Sequence, residues 1–292
     1  MAEPQFLYGG QAVIEGVMIR GKLHYGLAVR RASGDIHSLS EPLNHFFTGR
    51  LRRVPLVRGI ILLLETLILG IKVLNRSANM AVADQGDGTE EMPRWVLALT
   101  LAFSLALGIG VFFILPIFAV RPLEELISSN ILSNVIEGII RLVLLIGYIG
   151  AISMMRDIRR VFAYHGAEHM AVHAHEQGEE LTVESVRRFP TAHPRCGTAF
   201  LLVVMFVAIV VFAFTGRDPL WWLIASRIVL VPFIASISYE VIRFSGFHRT
   251  NPIVRFVLYP SLALQALTTR QPDDDQIEVA ICALNAAREA DL

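Results

Sequence analysis

The sequence predicts a mainly α-helical, polytopic membrane protein with about four transmembrane helices, an amphipathic or re-entrant helix, and a small N-terminal β-containing cytoplasmic unit. The first observation is composition: of 292 residues, 54% are hydrophobic and 18% are charged. Soluble domains average about 45–50% apolar and about 25% charged residues. The second is that four separate stretches approach the roughly 20 apolar residues that a helix needs to cross a bilayer. A buried helix of a soluble protein could explain one such stretch, but hardly four.

Residues 1–55 are predicted to form the β-rich cytoplasmic segment. Residues 25–31 and 36–39 flank the sequence Ala-Ser-Gly-Asp at 32–35, which is typical of a hairpin turn. The run GGQAVIEGVMIRG at 9–21 is rich in glycine, but it lacks the GxGxxG spacing and the GK[ST] ending of phosphate-binding loops. Its glycines indicate tight turns and close backbone approach.

Residues 56–74 are predicted to form an amphipathic helix in the membrane interface. Arg58, Glu65 and Lys72 recur every seventh residue, which places them on one stripe of a helix. This pattern suits a helix that lies in the interface, or one that turns a polar seam towards partners. A full crossing is not expected, because it would place the basic N-terminal arm outside the cell.

The four candidate membrane helices are arranged as two predicted hairpins, residues 95–155 and 198–242. The candidate stretches are residues 95–120, 135–155, 197–216 and 219–239. Residues 156–197 between the hairpins are predicted to form a cytoplasmic segment, and residues 243–292 a cytoplasmic C-terminal region.

Two parts of the C-terminal region have patterns of their own. Residues 253–267 are apolar but are interrupted by Arg255 and Pro260, so we interpret them as a re-entrant or interfacial piece. From about Asp274 the sequence indicates an amphipathic helix. Its apolar face is formed by Ile277, Ile281 and Leu284.

The distribution of basic residues predicts a multi-pass protein of the cell membrane with both termini in the cytoplasm. The external loops, about residues 121–134 and 217–218, contain only Arg121 and Arg217 as basic residues. The cytoplasmic side contains Arg20, Lys22, Arg30, Arg31, Arg50, Arg52, Arg53, Arg156, Arg159, Arg160, Arg187, Arg188 and Arg195. The lipid bilayer is thus an expected partner. A nucleic acid is not an expected partner, because the charges of 26 basic and 26 acidic residues cancel. A homo-oligomer is compatible with the sequence.

The chemistry is expected in the sequence YHGAEH at 164–169. On a helix, His165 and His169 are one turn apart and point the same way, so both imidazoles can bind one ion. Glu168 is close enough to ligate the metal or to accept a proton from its water. The spacing HxxEH is that of inverted zinc peptidases. His173 and Glu176 continue the same face as second-shell or structural candidates.

A third ligand is needed for a stable zinc site. The best candidates are His193 and Cys196 at the other end of the segment, because imidazole and thiolate are both good zinc ligands. Arg195 would act electrostatically on the thiol. The predicted cofactor is a divalent metal ion, with zinc preferred, and the predicted catalytic residue is Glu168.

Two charged residues within the last predicted hairpin are further second-shell or structural candidates. Arg227 would lie in mid-membrane, where an unpaired charge costs at least about 2.5–3.5 kcal/mol. It should therefore face the protein interior and pair with an acid such as Glu137 or Glu124. Glu240 is expected to reach the metal region.

These motifs together resemble the YqhQ-like family of uncharacterised bacterial integral membrane proteins, which are regarded as predicted metal-dependent enzymes. The resemblance rests on GGQAVIEGVMIRG (9–21), VPLVRG (54–59), YHGAEH (164–169), HPRCGT (193–198), SYEVIR (238–243) and LQALTTRQPDDDQIEVA (264–280). It covers nearly the whole chain. It implies a bacterial inner-membrane protein whose suspected metal constellation is His165, Glu168, His169, His193 and Cys196. Glu15 belongs to the N-terminal signature and is a further second-shell or structural candidate without a known role.

Three functions are compatible with these patterns. The first is a metal-dependent hydrolase at the cytoplasmic membrane face, in which Glu168 takes the proton from a water that attacks an amide, ester or phosphoester. The second is a non-enzymatic scaffold or assembly factor with a structural metal site. The third is a transporter. It is the weakest of the three, because the sequence has few predicted spans and no visible internal repeat. The residues do not identify a substrate or a protein partner.

Overall fold

The computed structural model describes residues 8–82, 94–193, 196–247 and 251–292. The strands are β1 (Gly9–Val13), β2 (Gly16–Arg20), β3 (His24–Arg30) and β4 (Ile36–Pro42). The helices are α1 (His45–Thr48), α2 (Val57–Val82), α3 (Arg94–Ile109), α4 (Leu115–Val120), α5 (Glu124–Ile127), α6 (Asn130–Ile152), α7 (Arg156–Glu176), α8 (Val183–Val186), α9 (Gly197–Ala213), α10 (Leu220–Val229), α11 (Val231–Phe247), α12 (Pro252–Thr268) and α13 (Asp274–Asp291). The predicted mainly helical class with a small sheet is confirmed.

The four strands form an antiparallel sheet in the order β1-β2-β3-β4. The predicted hairpin is β3–β4, in which Arg30 pairs with Ile36 and Tyr25 with Glu41. Gly34 in its turn has a φ of +94°, which glycine adopts without a steric cost. The N-terminal β-containing unit is thus confirmed, whereas its cytoplasmic location stays a prediction.

Both faces of the sheet are buried. Val17 and Ile19 point to one face, where they pack in a core with α7 and α13. The contact is close: a Cβ on Gly26 would lie 2.3 Å from the Ala283 carbonyl oxygen of α13. The face of α13 expected from its sequence is the buried one, formed by Ile277, Ile281 and Leu284. The C-terminal helix therefore completes the core of the N-terminal sheet.

The other face of the sheet packs on α2, which is longer than the predicted segment 56–74. Its polar stripe faces the protein: Glu65 accepts hydrogen bonds from Arg20 and Arg52 and is 1% exposed. Arg58 pairs with Glu240 of α11, and Lys72 pairs with Glu41 of β4. The opposite face of α2 exposes apolar side chains, namely Val57, Ile60, Leu64, Leu67, Ile68, Ile71 and Leu74. The charged residues of the stripe are therefore paired within the chain.

The Glu41 carboxylate of β4, which binds Lys72 and Arg76 of α2, is expected to form an acid-sensitive link between the two elements. Burial by itself would raise the pKa of Glu41, but hydrogen bonds from Lys72, Tyr25 and Arg76 outweigh it and lower the pKa from 4.5 to about 2. A lowered folded-state pKa stabilises the fold above the unfolded value, and this stabilisation is lost as the pH falls from about 4.5 towards 2. Thermal unfolding of Glu41→Gln should lack that part of the pH dependence. The exposed Glu184→Gln is the control, and identical acid profiles for the wild type and Glu41→Gln would contradict the assignment.

Two helical segments are long and apolar enough to span a membrane: residues Ala98–Ile127, which run through α3, α4 and α5, and Asn130–Ile152. They correspond to the first two predicted spans. The predicted span 219–239 is instead the pair α10 and α11, bent by 42° at its break. The predicted span 197–216 is α9, which has only 17 residues. By length and composition the described residues therefore contain two candidate spans, or three if the bent pair counts as one, and four are not shown.

A buried charge network lies between α6 and α10. Arg227 is fully buried, and two of its nitrogens lie 2.8 and 2.9 Å from the carboxylate oxygens of Glu137. Arg141 and Arg217 bind the same carboxylate at 2.7 and 2.8 Å. The expectation that Arg227 faces the interior and pairs with Glu137 is met. Glu124, the other suggested acid, binds Arg217 instead.

Helix α12, which contains Pro260, packs against α9 and α6. Leu264 of α12 lies in a core with Leu145, Ile149 and Leu202. The segment predicted as re-entrant or interfacial thus packs on apolar helices, and its C-terminal end reaches the candidate site described next.

Candidate metal centre

Helix α7 presents His165 and His169 on one side, one turn apart, with ring centroids 4.3 Å from each other. Its first half is fixed to the sheet through Glu15, whose carboxylate lies 2.5 and 2.6 Å from two nitrogens of Arg160. Tyr164 donates a weaker bond to the same carboxylate at 3.3 Å, and its pKa is raised by burial and by the nearby Glu15 charge. Glu15 has a φ of +52°, an uncommon conformation for a residue with a Cβ. We infer that the ion pair offsets this strain and positions α7.

The hydrogen bonds of the two imidazoles determine which nitrogen is available. Nδ1 of His165 lies 2.8 Å from the Thr268 carbonyl oxygen, and Nδ1 of His169 lies 2.5 Å from the Thr191 carbonyl oxygen. A carbonyl only accepts, so each Nδ1 donates and each Nε2 keeps its lone pair. Metal-binding histidines are oriented by this type of second-shell bond.

Cys196 supplies a third donor from the N-terminus of α9. Its Sγ lies 3.1 Å from Nε2 of His165 and 3.2 Å from Oγ1 of Thr198. The Thr198 backbone N–H also donates to this sulfur at 3.4 Å. Nε2 of His169 is buried and has no hydrogen-bond partner among the described residues. The donor atoms of His165, His169 and Cys196 all lie within 4.8 Å of one another.

This donor set fits a zinc ion. Zinc–nitrogen and zinc–sulfur bonds of about 2.0–2.3 Å imply donor separations of about 3.3–3.8 Å in a tetrahedron. Shifts of about 1 Å would bring the three donors to those separations. Three protein ligands leave a fourth position for water or substrate, which is the arrangement of catalytic rather than structural zinc sites.

Glu168 lies beside the three donors and is 4% exposed. Its Oε1 accepts a hydrogen bond from the Gly10 backbone N–H at 3.0 Å, and its Oε2 lies 3.7 Å from Nε2 of His169. Strand β1 therefore forms one wall of the site. The glycine pair at 9–10 was a signal of close backbone approach, but the sequence did not indicate what approaches it.

His193 lies next to the cluster but is not one of its three members. Its ring is 5.6 Å from that of His169 and 4.4 Å from that of His173, and its Nε2 is 3.7 Å from Oε2 of Glu176. Its backbone is held by Gln265 of α12, which binds both its N–H and its carbonyl at 2.9 Å. Sequence reasoning missed Gln265, although the residue lies in one of the motifs of the resemblance.

The remaining candidates lie elsewhere. Glu240 does not reach the cluster, because its carboxylate binds the Arg58 guanidinium and the Leu56 backbone N–H. A Cβ on Gly59 would lie 2.6 Å from the Ser236 Cα, so α2 and α11 touch at the same place. The motifs at 54–59 and 238–243 thus form one helix–helix contact. Arg227 belongs to the charge network, and Arg195 lies outside the described residues.

A small cavity of about 40 Å³ opens beside the donors. It is lined by Tyr8, Gly9, Gly10, Glu168, His169, Val172, His193, Cys196 and Gly197. One water molecule needs about 10–15 Å³ by this kind of measure, so the cavity can hold a water next to Glu168. Geometrically, a proton acceptor, a water-sized space and three metal donors meet here.

Comparison with known proteins identifies the family but not an activity. The sequence model of a family described as "Protein of unknown function (DUF1385)" matches residues 54–290. The chain is 37% identical over 290 residues to "Uncharacterized protein YqhQ" of Bacillus subtilis (strain 168), covering 95% of this chain and 91% of that protein. No solved structure matches. The chain therefore belongs to the DUF1385 family, in agreement with the YqhQ-like resemblance of its motifs.

Proposed function

We propose that the protein is a zinc-dependent membrane enzyme that hydrolyses its substrate at the cytoplasmic membrane face. The observation that carries the proposal is the convergence of His165, His169 and Cys196 beside Glu168. Cys196 is distant in sequence from the two histidines, and it meets them there with its metal-binding atom within 4.8 Å of theirs. Catalytic zinc sites use three protein ligands drawn from histidine, cysteine and carboxylate side chains and keep an open fourth position.

The membrane arrangement is part of the same proposal. Two helical segments have the length and composition of spans, and we propose that α9 and the bent pair α10–α11 cross as well, with both termini in the cytoplasm. The basic residues of the sheet and of α7 support this orientation. The cluster then lies where α9 leaves the cytoplasmic unit, since Cys196 directly precedes α9.

Each residue has a defined part in the proposed reaction. Zinc would act as a Lewis acid and make a water in the open position a better nucleophile. Glu168 accepts the proton of that water through Oε2, while Gly10 holds Oε1. Thr268 and Thr191 keep both imidazoles in the tautomer that exposes Nε2. The bond cleaved is an amide, ester or phosphoester.

Glu168→Gln is expected to retain zinc and to lose turnover. The glutamine keeps an oxygen that can accept from the Gly10 N–H but cannot take up a proton at neutral pH. Loss of a general base costs about 10²–10⁴-fold in rate. Purified protein would be incubated with extracts of bacterial membranes, and products that have gained one water would be sought by mass spectrometry. Products in the wild type but not in Glu168→Gln, at equal zinc content, support the enzyme. The same products from both proteins would overturn it.

A scaffold with a structural metal site is the second candidate. It is favoured by the Gly10–Glu168 hydrogen bond, which ties β1 to α7 and gives Glu168 a purely structural use. In that case Glu168→Gln is silent, and Glu168→Ala lowers the unfolding temperature because the Gly10 N–H loses its acceptor. The hydrogen bond to Gly10 exists in both functions, so unfolding curves measure its contribution to stability, and the product assay on the wild type and Glu168→Gln separates the two functions.

A further inference from the structure

A groove of about 580 Å³ adjoins the metal centre. It runs between α2 and the strands β1 and β2. It shares Tyr8, Gly9, Gly10 and Gly197 with the small cavity that Glu168 and Cys196 line. Its volume lies within the range of about 300–1,000 Å³ that is usual for small-molecule sites. A ligand in this groove would therefore extend to the proposed reaction centre.

The groove carries an excess of positive charge. Its charged lining residues are Arg20, Lys22, Arg52 and Glu65. Glu65 is almost fully buried and is shared by Arg20 and Arg52, each of which uses one nitrogen for it. Among the described residues, Nη2 of Arg20 and Nε and Nη2 of Arg52 have no acceptor, and Lys22 is exposed. Such a cluster is complementary to a phosphate group.

The other walls of the groove are apolar. Leu62 and Leu69 of α2 and Met18 and Leu23 of the sheet region line it. Leu62 and Leu69 flank Glu65 on the side of α2 that lines the groove, and the opposite face of the same helix exposes leucines and isoleucines. An exposed apolar helix face next to predicted membrane helices is suited to contact acyl chains. A small soluble anion would leave these walls without a partner.

We propose that this groove binds a membrane lipid whose phosphate-bearing headgroup has a net negative charge. The phosphate lies against Arg20, Lys22 and Arg52, and the acyl chains extend past Leu62 and Leu69 towards the exposed apolar face of α2 and the bilayer. As a substrate assignment this rests on the proposed hydrolase, with Glu168 at the inner end of the groove. Hydrolysis of one ester linkage consumes one water: its oxygen joins the acyl or phosphoryl group, and its proton passes through Glu168 to the departing alcohol.

Site-specific photocrosslinking tests the binding without any need for turnover. Benzoylphenylalanine would replace Leu69 in the groove and, as the matched control, Leu105, which is 67% exposed on α3. The protein is placed in nanodiscs of phosphatidylcholine with a minor share of phosphatidylglycerol, and the captured lipids are identified by mass spectrometry. We expect phosphatidylglycerol to be enriched about tenfold at position 69, equivalent to about 1.4 kcal/mol, and to follow the bulk ratio at position 105.

Charge variants check that the basic cluster is responsible. Lys22→Gln together with Arg52→Gln should abolish the enrichment at position 69, while the exposed Arg188→Gln should leave it unchanged. Lys22→Gln alone removes an exposed side chain, so a reduced enrichment in that variant cannot be attributed to misfolding. Bulk-ratio capture at position 69, or equal competition by free glycerol phosphate, would overturn the lipid assignment. The enrichment should persist in Cys196→Ala, so that a failure of the zinc hypothesis is distinguishable from a failure of this one.

Discussion

Replacing His165 or Cys196 by alanine is expected to remove stoichiometric zinc from the purified protein. Each residue supplies one of three donor atoms that lie within 4.8 Å of one another. Even the loss of a second-shell partner lowers metal affinity by about 10–100-fold, so the loss of a ligand should have at least that effect. Elemental analysis after dialysis against a weak chelator gives the zinc content per chain.

The chain offers a matched control for the thiol. Cys282 is the other cysteine, half-buried beside the core of the sheet, so Cys282→Ala should keep full zinc content. His193→Ala should also retain zinc, because His193 is not one of the three converging donors. Zinc lost equally from His193→Ala and His165→Ala would move His193 into the ligand set. Equal zinc content in the four alanine variants of His165, Cys196, Cys282 and His193 would contradict the proposed centre.

Glu137→Gln is expected to be the most destabilising single substitution in the apolar helices. One buried carboxylate binds Arg141, Arg217 and Arg227, of which Arg227 is fully buried. Removal of one partner of a buried ion pair costs about 3–5 kcal/mol, because the remaining charge is left uncompensated. Here three guanidinium groups lose their shared acid, so the variant should unfold at a much lower temperature or fail to accumulate in membranes.

The neighbouring acid provides the comparison. Among the described residues the Glu124 carboxylate binds Arg217 alone, and its side chain is 34% exposed. Its replacement by glutamine should cost clearly less than Glu137→Gln, because the amide oxygen can still accept from Arg217 and Glu137 still neutralises that guanidinium. Thermal unfolding in detergent would measure both variants. Similar melting temperatures for Glu137→Gln and Glu124→Gln would show that the network is not held by the central carboxylate.

Local patterns in the sequence predicted much of the fold. The charge-free run in residues 95–120 and the hairpin turn at 32–35 are signals that need no knowledge of distant residues, and the structure has helix and hairpin there. The seven-residue recurrence of Arg58, Glu65 and Lys72 likewise predicted one helical stripe. The partners of that stripe lie in β4, in α11 and around β2, so only the tertiary structure could identify them.

Only part of the candidate site could be predicted, because only part of it follows from a local pattern. His165 and His169 are one helical turn apart, so their common direction follows from the sequence. The sequence does not indicate whether His193 or Cys196 lies closer to these two imidazoles. Their placement depends on where α9 begins and on how Gln265 of α12 binds the loop before it. The pairing of Glu240 with Arg58 joins residues 182 positions apart. No local pattern could indicate it.

X-ray absorption at the zinc edge tests the central claim most directly, because it reports which atoms surround the ion. The wild type should show one sulfur neighbour at about 2.3 Å together with nitrogen and oxygen neighbours at about 2.0–2.1 Å. In Cys196→Ser the sulfur signal should vanish, and in Cys282→Ser it should remain. A wild-type spectrum without sulfur, or a sulfur signal that survives in Cys196→Ser, would contradict the proposed centre.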